Sequence, residues 1–391
     1  MENSEIERLR AETRGCENVI HFNNAGASLM PDPVYNAMLE HLELERCTGG
    51  YEAKTAANDS FNNFYTAFSQ LLNCQPNEIA FIENATRAWD MAFHSIDFSP
   101  GDRILTARSE YVSNYLGFLR AQEQQGVEIC PIPDDEHGQL DIAALETMID
   151  ERVKLIAVTH IPTQGGLVNP AIEIGRIART HNILYLLDAC QSVGQMPLDV
   201  EAIGCDILSG TGRKFLRGPR GTGFLYVKQS VLEKLTPPFI DLHSANWIDA
   251  NSYRLRPDAQ RFENWERFFA GQISLGCAVD YAIEIGLDRI WRRVEMLGST
   301  LRTKLEAIPG VRCCDLGRTR CGIVTFLKEG ESPDAIAQRM LRNGININVS
   351  NAASARIDMG DRNIEAMNRS SVHYYNTEAE IDRFVDVLAS A

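Results

Sequence analysis

Two residues of this 391-residue chain invite a chemical reading: Lys214, in the run Gly210-Thr211-Gly212-Arg213-Lys214-Phe215, and the upstream aspartate of Asp188-Ala189-Cys190-Gln191-Ser192. An amine condenses with an aldehyde, a carboxylate holds a pyridine nitrogen protonated, and a hydroxyl with a guanidinium fork binds a phosphate dianion. Pyridoxal phosphate needs all three, and its ring then serves as an electron sink for a carbanion at a substrate α-carbon. Read alone, Asp188 is equally a strand-end turn residue, although a buried carboxylate would still require a cationic partner. Gln191 is expected to donate to the ring's phenolic oxygen. Thr211 and Arg213 are expected to serve the phosphate, and Arg213 to lower the pKa of the neighbouring amine.

These groups must be delivered to one place by the elements that carry them. The apolar run Ile183-Leu184-Tyr185-Leu186-Leu187 reads as a buried parallel strand that ends on Asp188, at the carboxyl edge where open α/β sheets bind ligands. Strand-like and helix-like patterns alternate around it. Strands are expected at 78–82, 104–106, 127–130, 155–158 and 224–227, with helices at 85–95, 113–125, 142–149 and 169–180. That order predicts an α/β fold with a mainly parallel, doubly wound sheet. Asn84-Ala85-Thr86 falls where a strand gives way to a helix, so it is an N-cap whose free N–H groups suit a phosphate. The segment Gly218-Pro219-Arg220-Gly221-Thr222-Gly223 precedes a strand and reads as a turn, not a nucleotide loop.

Beyond about residue 270 the pattern changes to a long helix over 273–308, a strand at 322–326, a helix at 333–342, strands at 345–349 and 371–375, and a terminal helix. This predicts a smaller α+β domain. The expected division is an N-terminal segment, 1–20, packing on the small domain; a large cofactor-binding domain, 21–265; and a small domain, 266–391.

Composition excludes some partners. A net charge of −15 gives no basic footprint for nucleic acid or an anionic membrane, and an anionic substrate must be held by a local cationic site. No run of about 18 apolar residues suggests a membrane span. Residues 1–14 show no signal or transit pattern, so a cytoplasmic protein is expected. The ten cysteines have neither CxxC nor zinc spacing; reduced thiols and no metal site are expected.

Taken together, these motifs resemble the class V branch of fold-type I pyridoxal phosphate enzymes, the group of cysteine desulfurases, selenocysteine lyases, cystine C–S lyases and isopenicillin N epimerase-like proteins. The similarity runs from Asn23-Asn24-Ala25-Gly26 to Arg369-Ser370-Ser371-Val372-His373-Tyr374-Tyr375-Asn376-Thr377. It implies a large domain with a seven-stranded type of sheet, a homodimer, and an amino-acid substrate. It also implies roles: Lys214 as the Schiff-base lysine, Asp188 on the pyridine nitrogen, Gln191 on the phenolic oxygen, and Ala85, Thr86, Thr211 and Arg213 on the phosphate. Arg369 would clamp the substrate α-carboxylate, with Ala25 and Gln164 nearby; the bland alternative for Arg369 is a surface ion pair.

The departures from the family shape the expected reaction. Desulfurases keep a nucleophilic cysteine where this chain has Ser350-Asn351-Ala352-Ala353-Ser354, with Ala353 near the expected place, which speaks against a persulfide mechanism. Tyr111, in Ser109-Glu110-Tyr111-Val112-Ser113-Asn114, replaces the ring-stacking histidine and adds a phenol able to protonate a leaving group. The family's asparagine in His160-Ile161-Pro162-Thr163-Gln164-Gly165-Gly166 is replaced by Thr163 or Gln164. Trp265 or Arg267 either completes a partner's site or is structural. Tyr51, His243, Trp247, Trp265 and Tyr374 are aromatic candidates for a side-chain pocket. With Lys214 as base and Tyr111 as acid, the expectation is a C–S β-lyase acting on a cysteine conjugate. The similarity is closest to the sulfoxide lyases of ergothioneine and ovothiol biosynthesis, which cleave histidine-derived cysteine sulfoxides to a thiol or sulfenate, pyruvate and ammonia. An aminotransferase or an epimerase is the alternative, ahead of a cysteine desulfurase.

Overall fold

The computed structural model describes residues 1–390. Its centre is a seven-stranded sheet in the order Ile79–Ile82, Gly223–Val227, Ile207–Thr211, Leu184–Asp188, Val153–Thr159, Arg103–Thr106, Glu128–Pro131. Five neighbouring strands run parallel, and Gly223–Val227 is antiparallel to both of its neighbours. The expected mainly parallel α/β sheet is therefore present. Because side chains alternate across a strand, Ile156, Val158, Tyr185 and Leu187 enter one apolar core, while Leu155, Ala157 and Leu186 enter the other. Helices cover both faces, so the strands are continuous apolar runs. Helix Ala171–Thr180 buries Ala171, Ile174, Ile177 and Ala178, the inward stripe of its 3.6-residue period.

Parallel strands all present their carboxyl ends on one edge. Thr106, Thr159, Asp188 and Thr211 close four of them, so four polar side chains meet where the apolar cores stop. After Ile207–Thr211 the chain does not cross over but folds into a tight turn, closed by Gly212 N–H to the Thr222 carbonyl at 3.0 Å and Gly218 N–H to the Gly212 carbonyl at 2.8 Å. Residues 218–223 are thus a turn between antiparallel strands, as expected. Gly194, at φ +82°, lets the 189–194 turn lie directly against this loop, since a Cβ there would sit 2.5 Å from the Leu216 nitrogen.

A second sheet, Val311–Cys313, Ile323–Lys328, Ala366–Ser371, Asn348–Asn351, is antiparallel and has one face covered by Leu287–Glu306, Pro333–Arg342 and Glu378–Ala389. The N-terminal chain reaches it: Ile20–His21 pairs with Ile345–Asn346, and Arg10 bridges Glu380 at 2.8 Å.

Three expectations for this half are corrected. The helix expected over 273–308 is two helices, Phe269–Ile285 and Leu287–Glu306, because Gly286 at φ +91° ends the first. The strand expected over 345–349 is two short strands serving different sheets. The strand expected at 371–375 lies earlier, at Ala366–Ser371. Its Asn368, Arg369, Ser370 and Ser371 are buried, a pattern that hides a central strand, whereas the apolar run Val372, Tyr374, Tyr375 is a buried loop packed around Arg217. No helix among the described residues is long and apolar enough to cross a membrane.

Candidate active site

At the carboxyl edge of the large sheet lies a cavity of about 320 Å³ lined by Ala85, Thr86, Tyr111, Thr163, Asp188, Gln191, Thr211, Arg213 and Lys214. All nine residues expected to hold a cofactor are thus brought together from positions far apart in the chain. Lys214 is only 7% exposed, and its Nζ donates to Cys190 Sγ at 3.4 Å. Burial, foremost, pushes the amine below its ordinary pKa; Arg213 and Arg369 act in the same direction, and Cys190 and Asp188 oppose them. Arg213 thus acts on the amine in the expected direction, although exclusion of water outweighs the neighbouring cation. Cys190 is held as a thiol, because burial raises its pKa.

Asp188 is buried at the strand end. Oδ1 accepts the Cys190 N–H at 2.8 Å and Oδ2 accepts Asn114 Nδ2 at 2.9 Å. Burial raises its pKa, the mark of a carboxylate still short of a cation. At the opposite end, Asn84 Oδ1 caps helix Ala85–Phe93 by accepting the Arg87 N–H at 2.9 Å. The Ala85 and Thr86 N–H groups of its first turn stay available to an anion. Arg213 approaches Thr211 Oγ1 at 3.5 Å, and no carboxylate among the described residues lies within ion-pair distance of it. An acid short of a cation at one end and a guanidinium short of an anion at the other fit a pyridinium phosphate.

Arg369 arrives from the small sheet. It is 5% exposed; Nη1 donates to the Thr163 carbonyl at 3.0 Å and to Thr163 Oγ1 at 2.8 Å, and Nη2 to Asn23 Oδ1 at 3.3 Å. Nε has no partner, and burial together with Arg213 pushes the guanidinium down to about 10. The surface ion-pair alternative fails, because the side chain is neither exposed nor paired with an acid.

The choice between Thr163 and Gln164 is decided by direction. Thr163 lines the cavity, whereas Gln164 turns away and donates to the Ser354 carbonyl at 2.9 Å. Gln164 and Ala25, both expected at the substrate, do not line the cavity. Ala25 instead accepts from Gln191 Nε2 at 3.1 Å. That same nitrogen donates to Thr163 Oγ1 at 2.8 Å, so both Gln191 amide hydrogens are engaged and none remains for a phenolic oxygen. Thr163 Oγ1 accepts from Gln191 and from Arg369, which leaves the Thr163 hydroxyl hydrogen as the free donor at this point.

None of the aromatic pocket candidates Tyr51, His243, Trp247, Trp265 and Tyr374 lines the cavity. Trp247 is 82% exposed, His243 contacts Glu263, and the Tyr374 hydroxyl accepts from Arg217 at 2.5 Å. Arg267 pairs with buried Glu263 of the same chain. Sequence reasoning missed Asn114, Thr159, Cys190 and Arg220, all of which line the cavity. Two carried a signal: Thr159 ends a buried strand as Asp188 does, and Asn114 lies one helical turn beyond Tyr111.

Comparison with known proteins follows the same outline. The family model described as aminotransferase class-V matches residues 20–384. A probable cysteine desulfurase of Methanothermobacter thermautotrophicus is 30% identical over 388 residues, covering 98% of this chain and 97% of that protein. The apo structure of a cysteine desulfurase from Thermococcus onnurineus NA1 superposes with a TM-score of 0.91 at 27% identity, covering 98% and 97% of the two chains. A C-DES mutant with glycine covalently linked to its PLP cofactor shares the fold, with a TM-score of 0.88, 21% identity and coverage of 97% and 99%. These relatives overturn the expected sulfoxide lyase of histidine-derived cysteine sulfoxides: full-length similarity leads to proteins named cysteine desulfurases, the reading placed last from the sequence. That ranking leaned on two local features, Tyr111 and the missing cysteine near Ala353, and neither outweighs similarity spread over the whole chain.

Proposed function

The chain belongs to the class-V aminotransferase family, and on that premise we propose that it is a pyridoxal phosphate enzyme that removes sulfur from cysteine. The observation that carries this reading is the cavity itself, lined by a buried amine, a buried acid and the guanidinium of Arg213, with Arg369 held against its wall residue Thr163, beside relatives named for the reaction. When bound, the cofactor supplies an electron sink for charge developing at the substrate α-carbon.

The chain's own residues do the remaining work. Asp188 would hold the ring nitrogen of the cofactor, where a positive partner would offset the cost of its burial. The Ala85 and Thr86 N–H groups, Thr211 and Arg213 would hold the phosphate. Arg369 takes the substrate carboxylate in its fork, and Thr163 donates its hydroxyl hydrogen beside it. Lys214, whose pKa burial lowers, takes the proton from the α-carbon and returns protons to the product. The Tyr111 ring covers one wall.

In the overall reaction the Cβ–S bond of cysteine breaks, the departing sulfur bonds to an acceptor thiol, and hydrogen replaces sulfur on Cβ. Cysteine and a thiol give alanine and a persulfide. The segment tethered to Gln164 through Ser354 brings no thiol, and the Cys190 thiol that lines the cavity is held protonated beside Lys214, so a diffusible thiol is the proposed acceptor. Incubating the holoenzyme with cysteine and a small thiol is expected to release alanine and persulfide in equal amounts. Pyruvate and ammonia without alanine would overturn the reading in favour of elimination, and mercaptopyruvate in favour of transamination. The same reading includes a homodimer. Exposed Tyr51, Leu242 and Trp247 support it, because surfaces of this kind are commonly covered by a second copy.

A further inference from the structure

Behind the cavity lies a second buried acid that the reaction above does not use. Glu110 sits between the end of strand Arg103–Thr106 and the start of helix Val112–Gln125 and is almost fully excluded from solvent. Its Oε1 accepts the Tyr111 N–H at 2.9 Å, Asn114 Nδ2 at 2.9 Å and the Thr159 hydroxyl. Its Oε2 accepts the Thr159 N–H at 2.9 Å and the Thr106 hydroxyl at 3.2 Å. The amide of Asn114 is the link of interest. One nitrogen donates both to Glu110 Oε1 and to Asp188 Oδ2, each at 2.9 Å, so its two hydrogens join the two carboxylates and its orientation is fixed by acceptors on both sides.

We propose that Glu110 is a positioning residue that acts on the cofactor's ring nitrogen through Asn114 and Asp188, its negative charge strengthening the hold of Asp188 on the ring proton. This rests on the cofactor proposed above and not on the identity of the sulfur substrate. In a water-excluded setting two acids joined by one amide feel each other strongly, so a charge on Glu110 favours a protonated ring beyond Asp188. The arrangement can switch, because the Thr106 and Thr159 hydroxyls are able to accept from a protonated Glu110 as readily as they donate to its anion. Burial, foremost, with Asp188 adding to it, pushes the Glu110 carboxyl up to about 7, against the hydrogen bonds from Thr159, Asn114 and Tyr111.

The charged groups around it are few. From strand Leu184–Asp188 it faces Asp188, which in turn faces Lys214; Thr106, Asn114 and Thr159 on the other elements are neutral. Arg108 and Arg356 line the neighbouring apolar cavity that Glu110 also borders, and Arg108 is paired with Asp134 and Asp361.

The test is a pH titration of the absorbance of the cofactor-loaded protein, followed by measurement of cofactor dissociation. In Glu110→Gln the midpoint of the absorbance transition is expected to fall by about one pH unit, the usual effect of removing one nearby buried charge. The cofactor is also expected to dissociate several-fold faster, and kcat to fall with little change in KM. Asn114→Ala, which leaves Glu110 in place but cuts the link, is expected to move the midpoint the same way. A folded Glu110→Gln protein with a wild-type midpoint overturns the proposal and leaves Glu110 as an anchor for Tyr111 and Thr159. If glutamine at this position prevents folding, Asn114→Ala decides, and an unmoved midpoint there overturns it equally. A wild-type chain that takes up no cofactor overturns the underlying reading instead.

Discussion

Lys214→Ala is expected to abolish turnover, with a loss of at least ~10⁴-fold, because one side chain serves as both the covalent anchor and the base. The structure offers no substitute. Lys214 is the buried amine of the cavity, the Arg213 guanidinium is no amine that could take its place, and the Cys190 thiol is held protonated by burial. Two readouts separate this from simple unfolding. Borohydride reduction is expected to fix the cofactor to the wild-type chain and not to the variant. A small primary amine in the buffer is expected to restore part of the α-proton exchange, since the cavity left by the side chain can admit it. Wild-type activity in the variant would mean that the cavity is not the active site.

Asp188→Asn is expected to lower kcat/KM by about 10² to 10⁴-fold, the equivalent of the 3–5 kcal/mol lost when one member of a buried charged pair is removed. The amide is isosteric and can still accept the Cys190 N–H, so the fold should survive. What it cannot do is balance a protonated ring, and it places an NH₂ group against Asn114, which already donates from that side. Kinetic measurements with cysteine, together with the cofactor's absorbance, check this. Unchanged kcat/KM would place the ring nitrogen elsewhere.

Much of this site was legible in the sequence because its central groups are local. Asp188 ends an apolar strand, and Lys214 follows the last residue of the next parallel strand, so residue type and position along one strand edge carry the information. The phosphate end was legible for the same reason, through the Asn84 cap and the two residues after it. Legibility failed where a side chain's direction mattered. Thr163 and Gln164 are adjacent, and only the packing of their loop turns the first into the cavity and the second towards Ser354. It failed again at Gln191, whose donors are taken by Ala25 and Thr163, groups that no spacing rule relates to it. The polar strand Ala366–Ser371 was read as lying later because its buried asparagine, arginine and serines imitate a loop, while the apolar loop after it imitates a strand.

The sequence by itself therefore determined the mainly parallel sheet, through its periodicity, the cofactor chemistry, through the residue types around Asp188 and Lys214, and the family, through the resemblance its motifs carry. Tertiary structure alone decided how the pieces converge. It brings Arg369 from the small sheet to Thr163 beside the large one, drives the Lys214 amine towards neutrality by excluding water, and joins Glu110 to Asp188 through a single amide. Those effects depend on distance and burial among residues remote in the chain, and only folding sets either one.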